Sequence, residues 1–180
     1  MSTAKLINLA AFNIGWFACI LGAANGLPWL GIAYVALAAA GHLAYHRWSA
    51  RIAALYAMSF AMGVVADGTL VAIGILSFPE HASLLAPLAL WMPCMWINFA
   101  TALPLSLSFL RGRYLLAVAF GAVGAPGTYY AGAALGAVEL AEPLSTSMIA
   151  VGIEWAVAMP LLLVLLERLA PVETNHAEVP

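Results

Sequence analysis

The sequence predicts an all-α, polytopic membrane protein of six transmembrane helices. Three observations carry that expectation. Of 180 residues, 65% are hydrophobic and only 8% are charged, whereas soluble domains run near a quarter charged. So apolar a chain cannot cover a water-facing surface, and lipid is its solvent. Apolar stretches that can cross the bilayer, which takes about 20 residues at 1.5 Å rise, recur six times. The six Lys and Arg residues all fall on one side of the six-span arrangement.

Each span has its own grounds. The first, Lys5–Ala24, stops at "NGLP". It loosely resembles a signal peptide, with Lys5 ahead of an apolar run. The run is too long for a usual signal core and Asn13 interrupts it, so it reads as a retained helix. The second, Pro28–His46, is closed by the charged segment "HRWSAR". The third, Arg51–Ser77, precedes "FPEH"; the fourth, Ala86–Leu110, precedes "RGR"; the fifth, Tyr114–Gly136, precedes "ELAEP". The sixth is Thr146–Arg168. Residues 1–170 then form one transmembrane domain, and residues 171–180 a polar cytoplasmic tail. Pro87, Pro93, Pro104, Pro126 and Pro160 lie inside spans, where each removes a backbone donor and can kink or break its helix. "GAALG", Gly132 to Gly136, is a small-xxx-small pattern that suits close helix packing.

The charges set an orientation. Lys5, Arg47, Arg51, Arg111, Arg113 and Arg168 occupy the N-terminus, the second and fourth loops and the C-terminus. The other three loops carry Glu80, Glu139 and Glu142 and no basic residue. The positive-inside rule places both termini in the cytoplasm. Trp29 and Trp91 near the outer boundary and Trp48 near the inner one fit an aromatic belt.

Composition also excludes. A net charge of −2 with no basic stripe leaves nothing to hold a phosphate backbone, so nucleic acid is not a partner. Cys19 and Cys94 sit in apolar runs and read as buried thiols, a disulfide requiring that their helices be neighbours. No zinc-ligand spacing or cofactor motif is present, so neither a metal nor a cofactor is expected. His42 and His81 lie near opposite boundaries and read as interfacial.

The candidate site rests on polar residues near mid-depth: Asn13, Asp67, Asn98 and Glu154, with Tyr129 and Tyr130 further out and Thr101 one turn from Asn98. Asp67 shares a helical face with Ser59, Gly63 and Gly74; Glu154 shares one with Ser147, Ala150 and Ala158. Faces of small and polar residues turn towards other helices rather than lipid. Both acids are therefore expected in the bundle interior, and near each other. A mid-helix acid costs about 2.5–3.5 kcal/mol on insertion scales, and no Lys or Arg lies within a span to offset it. Three states fit: protonated acids sharing hydrogen bonds, ionised acids holding a cation, or acids lining a hydrated cavity. Helix–helix hydrogen bonding alone would account for Asn13 and Asn98. The near-equal spacing of Asn13 to Asn98 and of Asp67 to Glu154 raises a 3+3 inverted repeat, as in many transporters.

"ADGTLVAIGILSF" (Ala66 to Phe78), "WMPCMWINFATALPLSLSFLRGR" (Trp91 to Arg113), "GAVGAPGTYYAGAALGA" (Gly121 to Ala137) and the pair Glu154–Trp155 resemble a family of small, uncharacterised bacterial inner-membrane proteins. That resemblance covers nearly the whole chain. Members are loosely called permeases, and their genes often neighbour a cyclopropane-fatty-acid-synthase-like methyltransferase and a flavin amine oxidase-like protein. The resemblance implies a context of membrane-lipid modification and carries over no catalytic residue.

Three functions follow as expectations. The first is a small permease whose unknown small molecule, proton or lipid is bound by Asp67, Glu154, Asn98, Asn13, Tyr129, Tyr130 and Thr101. The second is an accessory protein or enzyme of fatty-acid modification; no histidine-rich box or nucleophile motif is present, which disfavours a free-standing enzyme. The third is a substrate-capturing subunit of a larger transporter, although "AANGLP" offers little lid. A homo-oligomer or membrane complex is compatible with each.

Overall fold

A computed structural model gives the structure and describes residues 2–84 and 88–169. Pro87 and the 171–180 tail lie outside the described residues. Among the described residues there are six α-helices, in the expected order: α1 (Thr3–Ala24), α2 (Trp29–Tyr45), α3 (Ala50–Ala72), α4 (Trp91–Ala102), α5 (Tyr114–Ala134) and α6 (Leu144–Leu169). Two short strands, β1 (Leu76–Ser77) and β2 (Glu139–Leu140), pair antiparallel with Leu76 opposite Leu140. By length and composition, α1, α3 and α6 are long and apolar enough to cross a membrane. The apolar α2 is shorter, at 17 residues.

Two expected spans are shorter than their apolar runs. The third stops at Ala72, not Ser77. Gly74 takes φ +75°, its N–H reaches Val71 O at 3.0 Å, and Ile75 N–H reaches Leu70 O at 2.9 Å. That is a left-handed glycine cap, which terminates a helix whatever the hydropathy beyond it. Gly136 ends α5 in the same way, with φ +83°. The second glycine of "GAALG" is thus a cap and not a packing surface.

In the described part of the fourth expected span, Ala86–Leu110, the α-helix is α4 alone, 12 residues long. At 1.5 Å per residue it covers roughly 18 Å, short of the ~30 Å hydrocarbon core. Pro104 stands just past its end, where no N–H is available to continue the ladder; turns and a 3₁₀ segment, Ser108–Leu110, follow. Asn8 of α1 satisfies this broken backbone. Its Nδ2 donates to Thr101 O at 3.0 Å, and its Oδ1 accepts from Ser106 Oγ at 2.6 Å and from Ser106 N at 3.3 Å.

The short helix is the hub of the fold. α4 packs against α1, α2 and α3; α2 flanks α1; α3 continues to α6, and α6 to α5. The packing does not repeat in halves. α1 packs on α2, but α4 does not pack comparably on α5; α5 packs on α6, but α2 does not pack comparably on α3. This packing gives no support to the 3+3 inverted repeat that the spacings raised.

Glycines mark the tight crossings. A Cβ at Gly31 would lie 2.5 Å from Cys19 Cα, and one at Gly121 would collide with the Trp155 carbonyl. Small residues let helix backbones approach this closely. One end of the bundle gathers Lys5, whose Nζ donates to Ser108 Oγ at 3.0 Å, and Glu167, which accepts from Gly112 N at 3.0 Å and Tyr114 OH at 2.5 Å. Trp29 and Trp48 are exposed, as a belt requires. Trp91 is not: it is 0% exposed, and its indole N–H donates to Ala82 O at 2.9 Å.

Candidate functional site

The inward face of α3 presents Ser59, Gly63, Asp67 and Leu70, all buried. Asp67 is 0% exposed. The absence of a side chain at Gly63 admits the indole of Trp96 from α4; a Cβ there would lie 2.5 Å from Trp96 Cδ1. Trp96 Nε1 then donates to Asp67 Oδ2 at 2.6 Å. The Tyr129 hydroxyl of α5 donates to the other oxygen, Oδ1. Trp155 of α6 stacks on Trp96 with centroids 4.6 Å apart, and its Nε1 reaches the Tyr129 hydroxyl oxygen at 3.4 Å. One carboxylate thus holds two neutral donors from two further helices, with a fourth helix behind them.

Glu154, next to Trp155 in sequence, is the second acid. Both its carboxylate oxygens are buried, and neither has a hydrogen-bond partner among the described residues. It lies within electrostatic range of Asp67 and Tyr129. A buried carboxylate without a partner carries a desolvation cost of several kcal/mol. A proton or a cation at the carboxylate would relieve that cost.

Beside this cluster runs a cavity of about 300 Å³. Its floor is one face of α4, Met92, Met95, Trp96 and Phe99, and its walls are α1 and α5. Tyr129 joins the two: its ring lines the cavity and its hydroxyl holds Asp67. Asp67 and Glu154 do not line it themselves. Of the three states set out above, acids lining a cavity is not the one this space shows: the rings of Trp96 and Tyr129, which hold Asp67, line it instead.

A family model described as "Protein of unknown function (DUF2878)" matches residues 5–161. The chain belongs to this family. No curated protein and no solved structure matches it. The DUF2878 match takes in Asp67, Trp96, Tyr129, Glu154 and Trp155, hence the whole cluster.

Of the expected site residues, the DUF2878 fold brings together Asp67, Glu154 and Tyr129. Asn98 is buried elsewhere, at the α1–α4 contact, where its Nδ2 donates to Phe12 O at 2.9 Å. Thr101 bonds back to Asn98 O at 2.7 Å and serves the end of α4. Asn13 is exposed on the cavity wall, its Nδ2 bonded to Leu9 O of its own helix at 2.8 Å. Tyr130, 53% exposed, faces away from its neighbour Tyr129, because adjacent helical positions lie about 100° apart. His42 bonds Tyr56 and takes no part. Cys19 and Cys94 are buried free thiols.

Trp96 and Trp155 were missed. A signal was present: tryptophan belongs at membrane interfaces, and an indole N–H deep in a span needs an acceptor. Asn8 was missed because its role depends on where α4 ends.

Proposed function

We propose that this DUF2878 protein is a multi-pass protein of the bacterial inner membrane, with both termini cytoplasmic, that acts as a small carrier. Its working centre is the carboxylate pair Asp67 and Glu154, gated by Tyr129, which binds a proton or cation coupled to movement of a small molecule. The observation that carries this reading is the contrast between the acids: Asp67 is held by two donors, whereas both oxygens of Glu154 are buried and have no partner among the described residues. An acid kept for helix adhesion would be partnered; an unpartnered one suits transient occupancy. The short α4 supports the same reading. Interrupted helices at membrane depth occur where backbone is buried in protein or lines a cavity, and transporters bind substrate at such helices.

The test needs no known substrate. The protein is reconstituted into vesicles on a solid support, and charge displacement after a pH jump is recorded. A transient is expected that is lost in Glu154→Gln and reduced in Asp67→Asn. The same transient in the double variant overturns the proposal.

The cavity favours one second reading, an accessory role in membrane-lipid modification. Its wall is overwhelmingly apolar, and it lies against the only hydroxyl that touches Asp67 among the described residues.

A further inference from the structure

The cavity has a shape that the carboxylate pair does not require. Its α1 wall, Leu9, Phe12, Asn13, Trp16 and Ile20, repeats at three- and four-residue steps, so one helical stripe faces it along its length. From Leu9 to Ile20 that stripe runs roughly 16 Å. The α5 wall runs comparably far, from Phe120 to Gly132. α1 and α5 border the same space without packing closely on each other. The lips are exposed, at Leu9, Asn13, Phe120, Gly124 and Thr128, while Met95 and Phe99 on the floor are half-buried and the groups behind are buried: Met92 is 5% exposed, Trp96 1% and Tyr129 7%. The space is a slot, open along the flank of the bundle between two helices and closed behind by aromatic rings and methionine.

The surroundings of the slot are apolar as well. On the outward faces of α5 and α6, Leu115 is 88% exposed, Val123 77% and Ile149 63%. Exposed side chains of that kind, in continuous bands, require lipid as solvent. A slot that opens into hydrocarbon fills from hydrocarbon, because an empty apolar cavity forfeits the dispersion contacts of its lining. Its length of roughly 16 Å matches one leaflet, half of a ~30 Å core. Flexible methionines on the floor suit an occupant with no fixed shape.

We propose that the α1–α5 slot is a binding site for a single fatty acyl chain of a bilayer phospholipid. The chain enters laterally, lies along α4 against Met92, Met95 and Phe99, and packs on the ring of Tyr129, the residue whose hydroxyl holds Asp67. Chain occupancy and the carboxylate pair therefore share one side chain. This deepens the carrier reading and rests on its placement of the flank in lipid.

Gly124 offers a clean block. It lies on the lip of the slot, and a Cβ built there meets nothing within 4 Å. Gly124→Leu therefore adds bulk at the lip, starting from a Cβ that is free of protein contact. The full chain is reconstituted into phosphatidylcholine vesicles that contain a phosphatidylcholine with a photoreactive diazirine in its acyl chain. After irradiation, adducts are mapped by mass spectrometry. Adducts are expected on the floor, at Met92, Met95 or Phe99, as well as on the outward Leu115 and Val123. In Gly124→Leu the floor adducts should fall at least five-fold while the outward ones persist. Labelling of Leu115 and Val123 alone in the wild type overturns the slot and leaves the membrane reading standing. Labelling at none of these positions overturns the membrane reading, and the slot with it. Should Gly124→Leu fail to fold, the wild-type map alone decides between these outcomes.

Discussion

The Tyr129 hydroxyl donates to Asp67 Oδ1, joining α5 to α3, two helices that share little direct packing. With Trp96 Nε1 on the other oxygen at 2.6 Å, Asp67 becomes the meeting point of three helices. Removing the carboxylate strands two buried donors at once, and each stranded donor costs about 1–3 kcal/mol. Asp67→Ala is expected to lower stability by about 2–5 kcal/mol, and Asp67→Asn, which keeps an acceptor, by markedly less. Thermal unfolding of the purified protein in detergent checks the order; equal losses would remove Asp67 from its structural role.

Glu154 is expected to behave in the opposite way. Its buried oxygens have no partner among the described residues, so replacement by an apolar residue of similar volume relieves a desolvation cost. Glu154→Met should melt at the wild-type temperature or above it while losing the pH-jump transient. Gain of stability with loss of function is the pattern of a site kept for its chemistry. A large destabilisation would instead mean that Glu154 serves the fold.

Trp96 does two jobs that can be separated. Trp96→Phe loses the N–H to Asp67 and keeps a ring to stack on Trp155. Trp96→Ala loses both, and large-to-small core changes of this kind cost about 3–5 kcal/mol. The phenylalanine variant is expected near 1–2 kcal/mol, read as the difference in denaturation midpoint between the two.

Two glycine substitutions give a matched contrast. At Gly121 a Cβ meets the Trp155 carbonyl, whereas at Gly68 it meets nothing within 4 Å. Gly121→Ala should destabilise by about 1–3 kcal/mol through overpacking at the α5–α6 crossing. Gly68→Ala should be neutral or stabilise by roughly 0.5–1 kcal/mol through helix propensity. Similar melting curves for the two would mean that α5 and α6 do not cross at Gly121.

Asn8 and Asn13 form a third contrast, on one helix. Asn8 is 8% exposed and satisfies the broken end of α4, while Asn13 bonds only its own helix at the slot wall. Asn8→Ala is expected to cost about 1–3 kcal/mol and Asn13→Ala less than ~0.5 kcal/mol. Thermal unfolding measures both, and a larger loss at Asn13 would contradict the assignment.

The sequence by itself determined the class of the molecule. Its apolar fraction, its six hydrophobic runs and the presence of an acid, Asp67, inside one of them are properties of composition and order. They hold however the helices pack. The face that joins Ser59, Gly63 and Asp67 was legible as well, because helical periodicity fixes which side chains share a side. The end of α5 at Gly136 was legible in place, whereas the end of α3 at Gly74 was not, since hydropathy there continues past the residue whose backbone turns left-handed. Only the tertiary structure decided that α4 is half a span, that Asp67 takes its donors from Trp96 and Tyr129 rather than Asn98, and that Tyr129 and not Tyr130 faces inward. It also decided that α1 and α5 stand apart over a slot. Each of these depends on which helices are neighbours and at what rotation, and in a chain apolar on every face hydrophobicity selects no neighbour. Close approach at Gly31, Gly63 and Gly121 does, and that is geometry between segments far apart in sequence.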